Sequence, residues 1–343
     1  MNIARREFYF QFHINRDCNL RCKHCYQEEY SSRTNARSEH LDIICQHIIQ
    51  AAKAWNCVAR VALTGGEPLL CDSIWSLLDQ LSASEHVGTL TVLSNGTLIQ
   101  DLQARRLAQY PKMREIQISL DGATSYTHDA VRGAGAFSGA MDGIRSLKNS
   151  GLSVAIMFTL MRDNMAEALA VLELARENGV DFVTIERVVP CHTNDLQRDA
   201  LSPSEVSRVY KEVHEWAETQ PDKGHKVTVR RRRPLWNLVS DTVGGFCPVG
   251  FTALAVLDDG TILPCRRMEI PIGNVIEDRG FFKAWYTADV LWNLRRRANL
   301  GGMCGTCDHA SACGGCRALA YNMTGDYMKG DPQCWLTKNA YLV

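Results

Sequence analysis

No stretch of this 343-residue sequence is apolar for long enough to cross a membrane, and its start, MNIARREFYFQF, lacks the apolar run of a secretory signal. An excess of either charge is missing as well. Lys+Arg and Asp+Glu both number 38, so the net charge is zero. A dedicated nucleic-acid binder shows a basic excess or a strongly basic face, so no nucleic-acid partner and no membrane partner is expected. Internal repeats and low-complexity tracts are absent. What remains is the composition of an ordinary soluble protein, 45% hydrophobic and 22% charged, with the cytoplasm as its default compartment. The length suits one large α/β domain plus a small appendage, enough to bury a sizeable core.

What the chain does have is cysteine: 14 of them. Disulfides are rare in the cytoplasm, so clustered cysteines there point to metal or redox chemistry. Three lie within residues 18–25 and seven between Cys247 and Cys334. Cys45, Cys57, Cys71 and Cys191 are scattered, and the first three read as small buried hydrophobes.

Strands are expected at 7–14, 60–66, 89–96, 114–122, 152–160 and 180–188. Helices are expected at 39–55, 73–83, 101–109, 137–151, 165–179 and 202–218. The last opens with Ser202 as N-cap and Pro203 in the first turn. About six βα units in alternation imply a parallel sheet. The polar motifs fall just after the strands, on the rim where a parallel α/β barrel keeps its active site. Residues 219–246 read as a connector holding the arginine run 230–233, either a charged surface tied to carboxylates or an anchor for an acidic substrate. Beyond it come short strands (TALAVLD, TILPC), a helix at 280–297 and a loop-rich cysteine tail. A domain boundary is placed near residue 235, giving domains 1–235 and 236–343.

CNLRCKHC supplies three thiolates at Cys18, Cys22 and Cys25. On a four-iron cube they leave one iron open, whereas a structural site closes all four positions. The competing reading is zinc, with His24 as fourth ligand. Tyr26 beside Cys25 favours the cluster, since an aromatic there can stack on adenine.

CxxxCxxC followed by an aromatic resembles the signature of the radical S-adenosylmethionine (SAM) superfamily. Three further motifs agree with it. Gly65, Gly66, Glu67 and Pro68 resemble the family's GGEP, which receives the methionyl amino group of SAM. Ser94, Asn95, Gly96 and Thr97 resemble its SNGT, near the ribose and methionyl portion. Ser119, Leu120, Asp121 and Gly122, with His128, Asp129 and Arg132, resemble SLDG…HDxxR, where the serine and arginine lie near the SAM carboxylate. The resemblance implies a partial (β/α)6 TIM-like barrel in the α/β class. It also implies a catalytic [4Fe-4S] cluster on Cys18, Cys22 and Cys25 that reductively cleaves SAM, the 5′-deoxyadenosyl radical then abstracting hydrogen from substrate. A reductant such as flavodoxin or ferredoxin supplies the electron.

The seven C-terminal cysteines read C-x12-G-x4-C from Cys247 through Gly260 to Cys265. Then come Cys304, Cys307, Cys313 and Cys316, and last Cys334. This resembles the SPASM domain, which carries two auxiliary [4Fe-4S] clusters. One interval departs from the family: two residues, not three, separate Cys313 and Cys316. By the resemblance Cys304, Cys307, Cys313 and Cys334 hold the outer cluster, and Cys247, Cys265 and Cys316 the inner one. The fourth ligand some relatives supply six residues after the first cysteine is Ala253 here. The inner cluster therefore keeps an open iron, takes a ligand such as Cys191, or binds substrate directly. A zinc knuckle is the competing reading, although paired CxxC elements in zinc sites are usually further apart.

The tail GGCRALAYNMTGDYMKGDPQC resembles both peptide-modifying SPASM enzymes and those that trim tetrapyrrole side chains. Modification of a ribosomally made peptide, by crosslink or decarboxylation, is the favoured reading. Since the core starts almost at Met1, a separate leader-peptide recognition protein or a small-molecule substrate would fit. The arginine runs 230–233 and 295–297 can pair with propionates in the tetrapyrrole reading. Asp258, Asp259 and Glu269 are carboxylates in the right domain for a base. A non-enzymatic iron–sulfur electron-transfer scaffold is the third reading, disfavoured by Glu67, Asn95 and the three N-terminal cysteines.

Overall fold

The computed structural model describes residues 6–27, 30, 38–190, 198–221 and 224–337. Six βα units open the chain. β1 (Arg6–His13) leads to α1 (Ser38–Ala54), and β2 (Cys57–Thr64) to α2 (Ile74–Ala83). β3 (Val87–Ser94) precedes α3 (Asp101–Leu107). β4 (Met113–Ser119) is followed by two helices, α4 (Ser125–Arg132) and α5 (Ala136–Asn149). β5 (Val154–Leu160) feeds α6 (Ala168–Glu177), and β6 (Phe182–Arg187) feeds α7 (Pro203–Glu218). After them come β7 (Thr228–Val229), β8 (Ala253–Val256), β9 (Thr261–Leu263) and β10 (Gly273–Asn274). Four short helices follow: α8 (Phe282–Thr287), α9 (Asp289–Arg295), α10 (Gly302–Gly305) and α11 (Arg317–Thr324).

The sheet order is β10-β9-β8-β1-β2-β3-β4-β5-β6-β7, parallel from β8 through β7. Successive parallel strands with helical crossovers give the expected partial barrel.

Alternation along each strand sorts the residues by face. On β1, Phe8, Phe10 and Phe12 are buried against helices, while Tyr9, Gln11 and His13 point the other way. α1 meets the sheet with Leu41, Ile44, Cys45, Ile48, Ala51 and Ala52, one stripe at helical spacing. Each large side chain so buried contributes roughly 1.5–3 kcal/mol relative to exposure. The inward face carries polar residues, and on β5 and β6 Met157, Thr159, Phe182 and Glu186 stay half-buried. The lumen side of the barrel is therefore mixed in character, Thr159 and Glu186 polar and Met157 and Phe182 apolar.

Four details differ from the sequence reading. The connector holds a strand, β7, whose Thr228 and Val229 pair with Phe182 and Val183. The SYTHDAVR segment is a helix, opened by Thr124, whose side chain accepts Thr127 N–H. The helix expected at 280–297 breaks at the extended Ala288 into α8 and α9. Cys45 and Cys57 are buried as expected, but Cys71 is half-buried, its Sγ 3.7 Å from the Ile14 carbonyl.

The C-terminal region is continuous with the barrel. β8 extends the sheet from β1, with Tyr9 opposite Ala253 and Phe12 opposite Val256. Behind β1, Phe8 meets Trp285 edge-on at 4.9 Å and Phe10 lies 5.2 Å from Phe281. Such pairs add about 0.5–1.5 kcal/mol beyond their buried area.

Candidate functional site

The first cysteine loop leaves the end of β1 and is pinned before it reaches Cys18. Gly66 N–H donates to the Asn15 carbonyl (3.0 Å) and Glu67 N–H to the Asp17 carbonyl (2.7 Å). Asn15 Nδ2 returns a bond to the Glu67 carbonyl at 2.9 Å. Glycine is needed here because the backbones nearly touch. A Cβ on Gly65 would sit 2.1 Å from Asn15 Oδ1, and one on Gly66 2.2 Å from the Asp17 carbonyl oxygen. Pro68 then starts a single 3₁₀ turn, with Glu67 as its N-cap.

Glu67 is fully buried. Its Oε1 accepts Ser94 Oγ (2.9 Å) and Leu69 N–H (3.2 Å), and its Oε2 accepts Asn95 N–H (2.8 Å). Burial pushes its carboxyl up to about 7, against the pull of those three donors. The Asn95 amide continues the chain of contacts. Its Nδ2 donates to Asn19 Oδ1 at 2.9 Å and lies 3.9 Å from Cys18 Sγ, while Asn19 Nδ2 donates to Thr97 Oγ1 at 2.8 Å. GGEP and SNGT thus form one framework around the loop of Cys18. The sequence reading passed over Asn15 and Asn19; Asn19 lies inside the cysteine motif itself.

Asp121 and Arg132 are both buried and meet at 2.7 Å. Asp121 also accepts Thr159 N–H (2.8 Å) and has His24 Nε2 at 3.0 Å. Its carboxyl is held well below the usual range, the Arg132 and His24 charges outweighing burial. Asp121 N–H donates to His128 Nδ1 at 3.0 Å, and Arg132 NH1 reaches Cys22 Sγ at 3.6 Å. HDxxR therefore folds back onto the cysteine loop. Ser119 ends β4 half-buried, facing inward. Tyr26 is half-buried with the Arg266 guanidinium 4.5 Å over one face, so that face is taken.

Each of the three thiols has a donor. Leu20 N–H lies 3.4 Å from Cys18 Sγ and Gln27 N–H 3.4 Å from Cys25 Sγ, and Cys22 has Arg132. Burial pushes the Cys22 thiol up to about 11, opposed by Arg132 and helped by the Cys25 and Cys18 charges. The same i+2 amide contact recurs at Cys313, where Gly315 N–H is at 3.5 Å and Leu235 N–H at 3.3 Å.

The C-terminal cysteines separate into two neighbourhoods. Burial pushes Cys247 up to about 12, with Cys316 and Cys265 among its neighbours, and Val249 N–H donates to it. Burial pushes Cys334 up to about 11, with Asp331, Cys304 and Cys313 beside it and Leu336 N–H donating. Cys304, Cys307 and Cys334 line an open pocket of about 220 Å³ with Asp331 and His309. Among the described residues no three His, Cys, Asp or Glu side chains converge tightly enough for a single metal ion. A zinc with bonds of about 2.3 Å to sulfur needs tighter grouping than a cube, whose thiolates bind different irons. Thiols with aimed N–H donors suit iron–sulfur ligation, where such donors tune the potential. His24 faces Asp121 rather than completing a zinc shell. Cys191 lies outside the described residues.

The arginine runs are largely tied down. Arg230 grips Glu115 with both arms, Arg231 NH1 meets Glu218 at 2.7 Å, and Arg295 and Arg297 donate to backbone carbonyls. Asp258 and Asp259 hold Arg16 at 3.2 and 2.9 Å, joining the β8–β9 hairpin to the cysteine loop. Glu269 pairs with Arg266.

Residues 13–175 match the radical SAM superfamily, and residues 247–308 match SPASM, an iron–sulfur cluster-binding domain. The chain is 31% identical to mycofactocin maturase MftC of Mycobacterium ulcerans, over 92% of this chain and 85% of that protein. It belongs to the radical SAM superfamily. AdoMet-dependent heme synthase of Nitratidesulfovibrio vulgaris is 29% identical over 94% of this chain and 90% of that one. In fold, the chain resembles Streptococcus suis SuiB bound to S-adenosylmethionine (TM-score 0.77, 16% identity, 97% of this chain and 78% of that chain). It also resembles anSMEcpe with bound AdoMet (TM-score 0.73, 19% identity, 91% and 86%). Radical SAM proteins of this kind are enzymes, and the two matched domains imply iron–sulfur clusters and SAM as cofactors. Among the described residues no helix is long and apolar enough to cross a membrane.

Proposed function

We propose that this radical SAM enzyme binds its catalytic cluster on Cys18, Cys22 and Cys25 and modifies a ribosomally made peptide. The observation that carries the reading is the aimed donor on each of the three thiols, on a loop bolted to Glu67 and Asn95. When bound, cluster and SAM supply an electron and a carbon radical that removes hydrogen from substrate.

The chain's own residues prepare that chemistry. Asn15, Gly65 and Gly66 fix the start of the loop, and Asn19 with Asn95 fixes its middle. Arg132 places a positive charge beside Cys22, which favours the thiolate. The backbone of 65–68, the rim at Ser94 and Asn95, and Ser119 are the groups assigned to SAM. Cys304, Cys307, Cys313 and Cys334 are assigned to an outer auxiliary cluster, and Cys247, Cys265 and Cys316 to an inner one. The barrel, 1–235, and the cluster domain, 236–343, work as one unit joined through β1 and β8.

The maturase relative supports a peptide substrate. A separate leader-binding protein and a flavodoxin- or ferredoxin-type reductant are the partners this reading calls for. Trimming of tetrapyrrole side chains is the second reading, favoured by the heme synthase and by pre-heme d1 synthase of Dinoroseobacter shibae, 28% identical over 95% of this chain. The test is formation of 5′-deoxyadenosine by reduced, reconstituted protein with either substrate class. Stimulation by a short peptide encoded beside the gene supports the first reading, and stimulation by a tetrapyrrole replaces it with the second.

A further inference from the structure

One arginine pair stands outside the framework around the first cysteine loop. Glu186, near the end of β6, faces inward beside Thr159 of β5. Two guanidiniums share it: Arg233 Nε lies 3.0 Å from its Oε1 and Arg267 NH2 3.4 Å from its Oε2. One carboxylate against two guanidiniums leaves a positive charge over. The nearer contact is also poorly aimed, since Glu186 Oε1 is buried and receives no directed hydrogen bond. Arg233 is therefore held to Glu186 by charge rather than by a directed hydrogen bond. It is not solvated surface either, because Tyr9 of β1 and Cys247 are among its neighbours. Yet 44% of the Arg233 side chain and 28% of that of Arg267 are open to water. Both reach Glu186, which faces inward on β6.

The place matters as much as the charge. Arg267 has Cys316, Cys265 and Cys247 among its neighbours, and Tyr26 as well. The nearby Arg187 is already neutralised by Asp331, and Arg266 by Glu269. Arg233 and Arg267 thus lie together at Glu186 on the inward side of β6, with Cys247 among the neighbours of both.

We propose that Arg233 and Arg267 form a receptor for a carboxylate of the substrate, with Glu186 as the internal carboxylate that occupies them until substrate displaces it. The inference rests on the proposed radical SAM function with a peptide or tetrapyrrole substrate. A guanidinium fork suits a carboxylate in two-point contact, and such charge-assisted bonds are about twice as strong as neutral ones. Peptides and tetrapyrroles both carry carboxylates, so the chemistry is shared by the two substrate classes. A different role for Arg267, balancing the thiolates of Cys247, Cys265 and Cys316, predicts no preference for free acids.

Equilibrium binding to the full-length reconstituted protein, without reductant, separates these. The probes are N-acetyl-alanyl-phenylalanine with its C-terminal amide, and mesoporphyrin IX with its dimethyl ester. At least one acid should bind about tenfold more tightly than its capped form. Arg233→Gln and Arg267→Gln should each remove that preference, whereas Arg232→Gln, an exposed neighbour, should not. Glu186→Gln should tighten acid binding, a gain that misfolding does not produce. The peptide acid binding alone assigns a peptide carboxylate, and the porphyrin acid alone a macrocycle propionate; either supports the receptor. Acid and capped forms binding alike in both pairs, or Glu186→Gln failing to tighten the acid, would overturn it. Because no SAM chemistry is involved, this can fail while SAM cleavage succeeds, and the reverse.

Discussion

The Glu67 carboxylate accepts the Asn95 backbone N–H at 2.8 Å, tying the end of β2 to the end of β3. Asn95 in turn holds Asn19 inside the cysteine loop. A buried acid is thereby used as a bracket for the first cysteine loop. Glu67→Gln replaces one oxygen by an amide that cannot accept, leaving a buried donor unpaired. The expected cost is about 1–3 kcal/mol in urea unfolding. Formation of 5′-deoxyadenosine should drop by about 10–100-fold, as for other groups that position metal ligands.

Two buried groups give opposite pH dependences. Glu67 is pushed up to about 7 from an ordinary 4.5 by burial, so its contribution to stability is full below 4.5 and lost as pH rises through about 7. His128 is pushed down to about 4 from 6.5 by burial and by Arg132. Its contribution is full above 6.5 and lost as pH falls through about 4. In the unloaded protein, the stability gap between wild type and Glu67→Gln should shrink as pH rises from 4.5 to about 7. The gap to His128→Asn should shrink as pH falls from 6.5 to about 4. Denaturant titrations across that range check both slopes, and a pH-independent gap would contradict the burial of either group.

Much of the site was legible because its residues sit in short, ordered motifs. Cys18, Cys22, Cys25, Glu67, Asn95 and Asp121 all follow strands whose alternation is plain in the sequence. The partners were not legible. Arg16 meets Asp258 across 242 residues, and Arg187 meets Asp331 across 144. No local pattern carries such pairings. β7 was missed because two residues give no periodicity, and α4 because SYTHDAVR is mostly polar and holds β-branched Thr and Val. The continuity of the C-terminal region with the barrel depends on β8 choosing the free edge of β1, a tertiary fact.

The buried pair of Arg187 with Asp331 also supports the cysteines. Asp331 Oδ2 accepts Cys316 N–H at 2.7 Å while Arg187 contacts both carboxylate oxygens at 2.8 and 2.9 Å. Asp331→Asn leaves Arg187 charged and uncompensated, at an expected cost of about 3–5 kcal/mol. Iron per reconstituted chain should fall with it, while the first cysteine group keeps its share.

Gly66→Ala should act on the other end of the protein. Its Cβ would lie 2.2 Å from the Asp17 carbonyl oxygen, a backbone atom that cannot step aside without moving Cys18. SAM cleavage should be lost together with about four irons. Retained cleavage would mean the loop is not held as tightly as its hydrogen bonds imply.

The most direct measurement is iron content and reductive SAM cleavage, determined together on anaerobically reconstituted protein and on the Cys18, Cys22 and Cys25→Ala triple variant. The account predicts about twelve irons per chain, falling to about eight in the variant with cleavage abolished. About four irons in the wild type, or zinc on the C-terminal cysteines, would contradict the auxiliary clusters. Full iron loading without SAM cleavage would contradict the catalytic assignment itself.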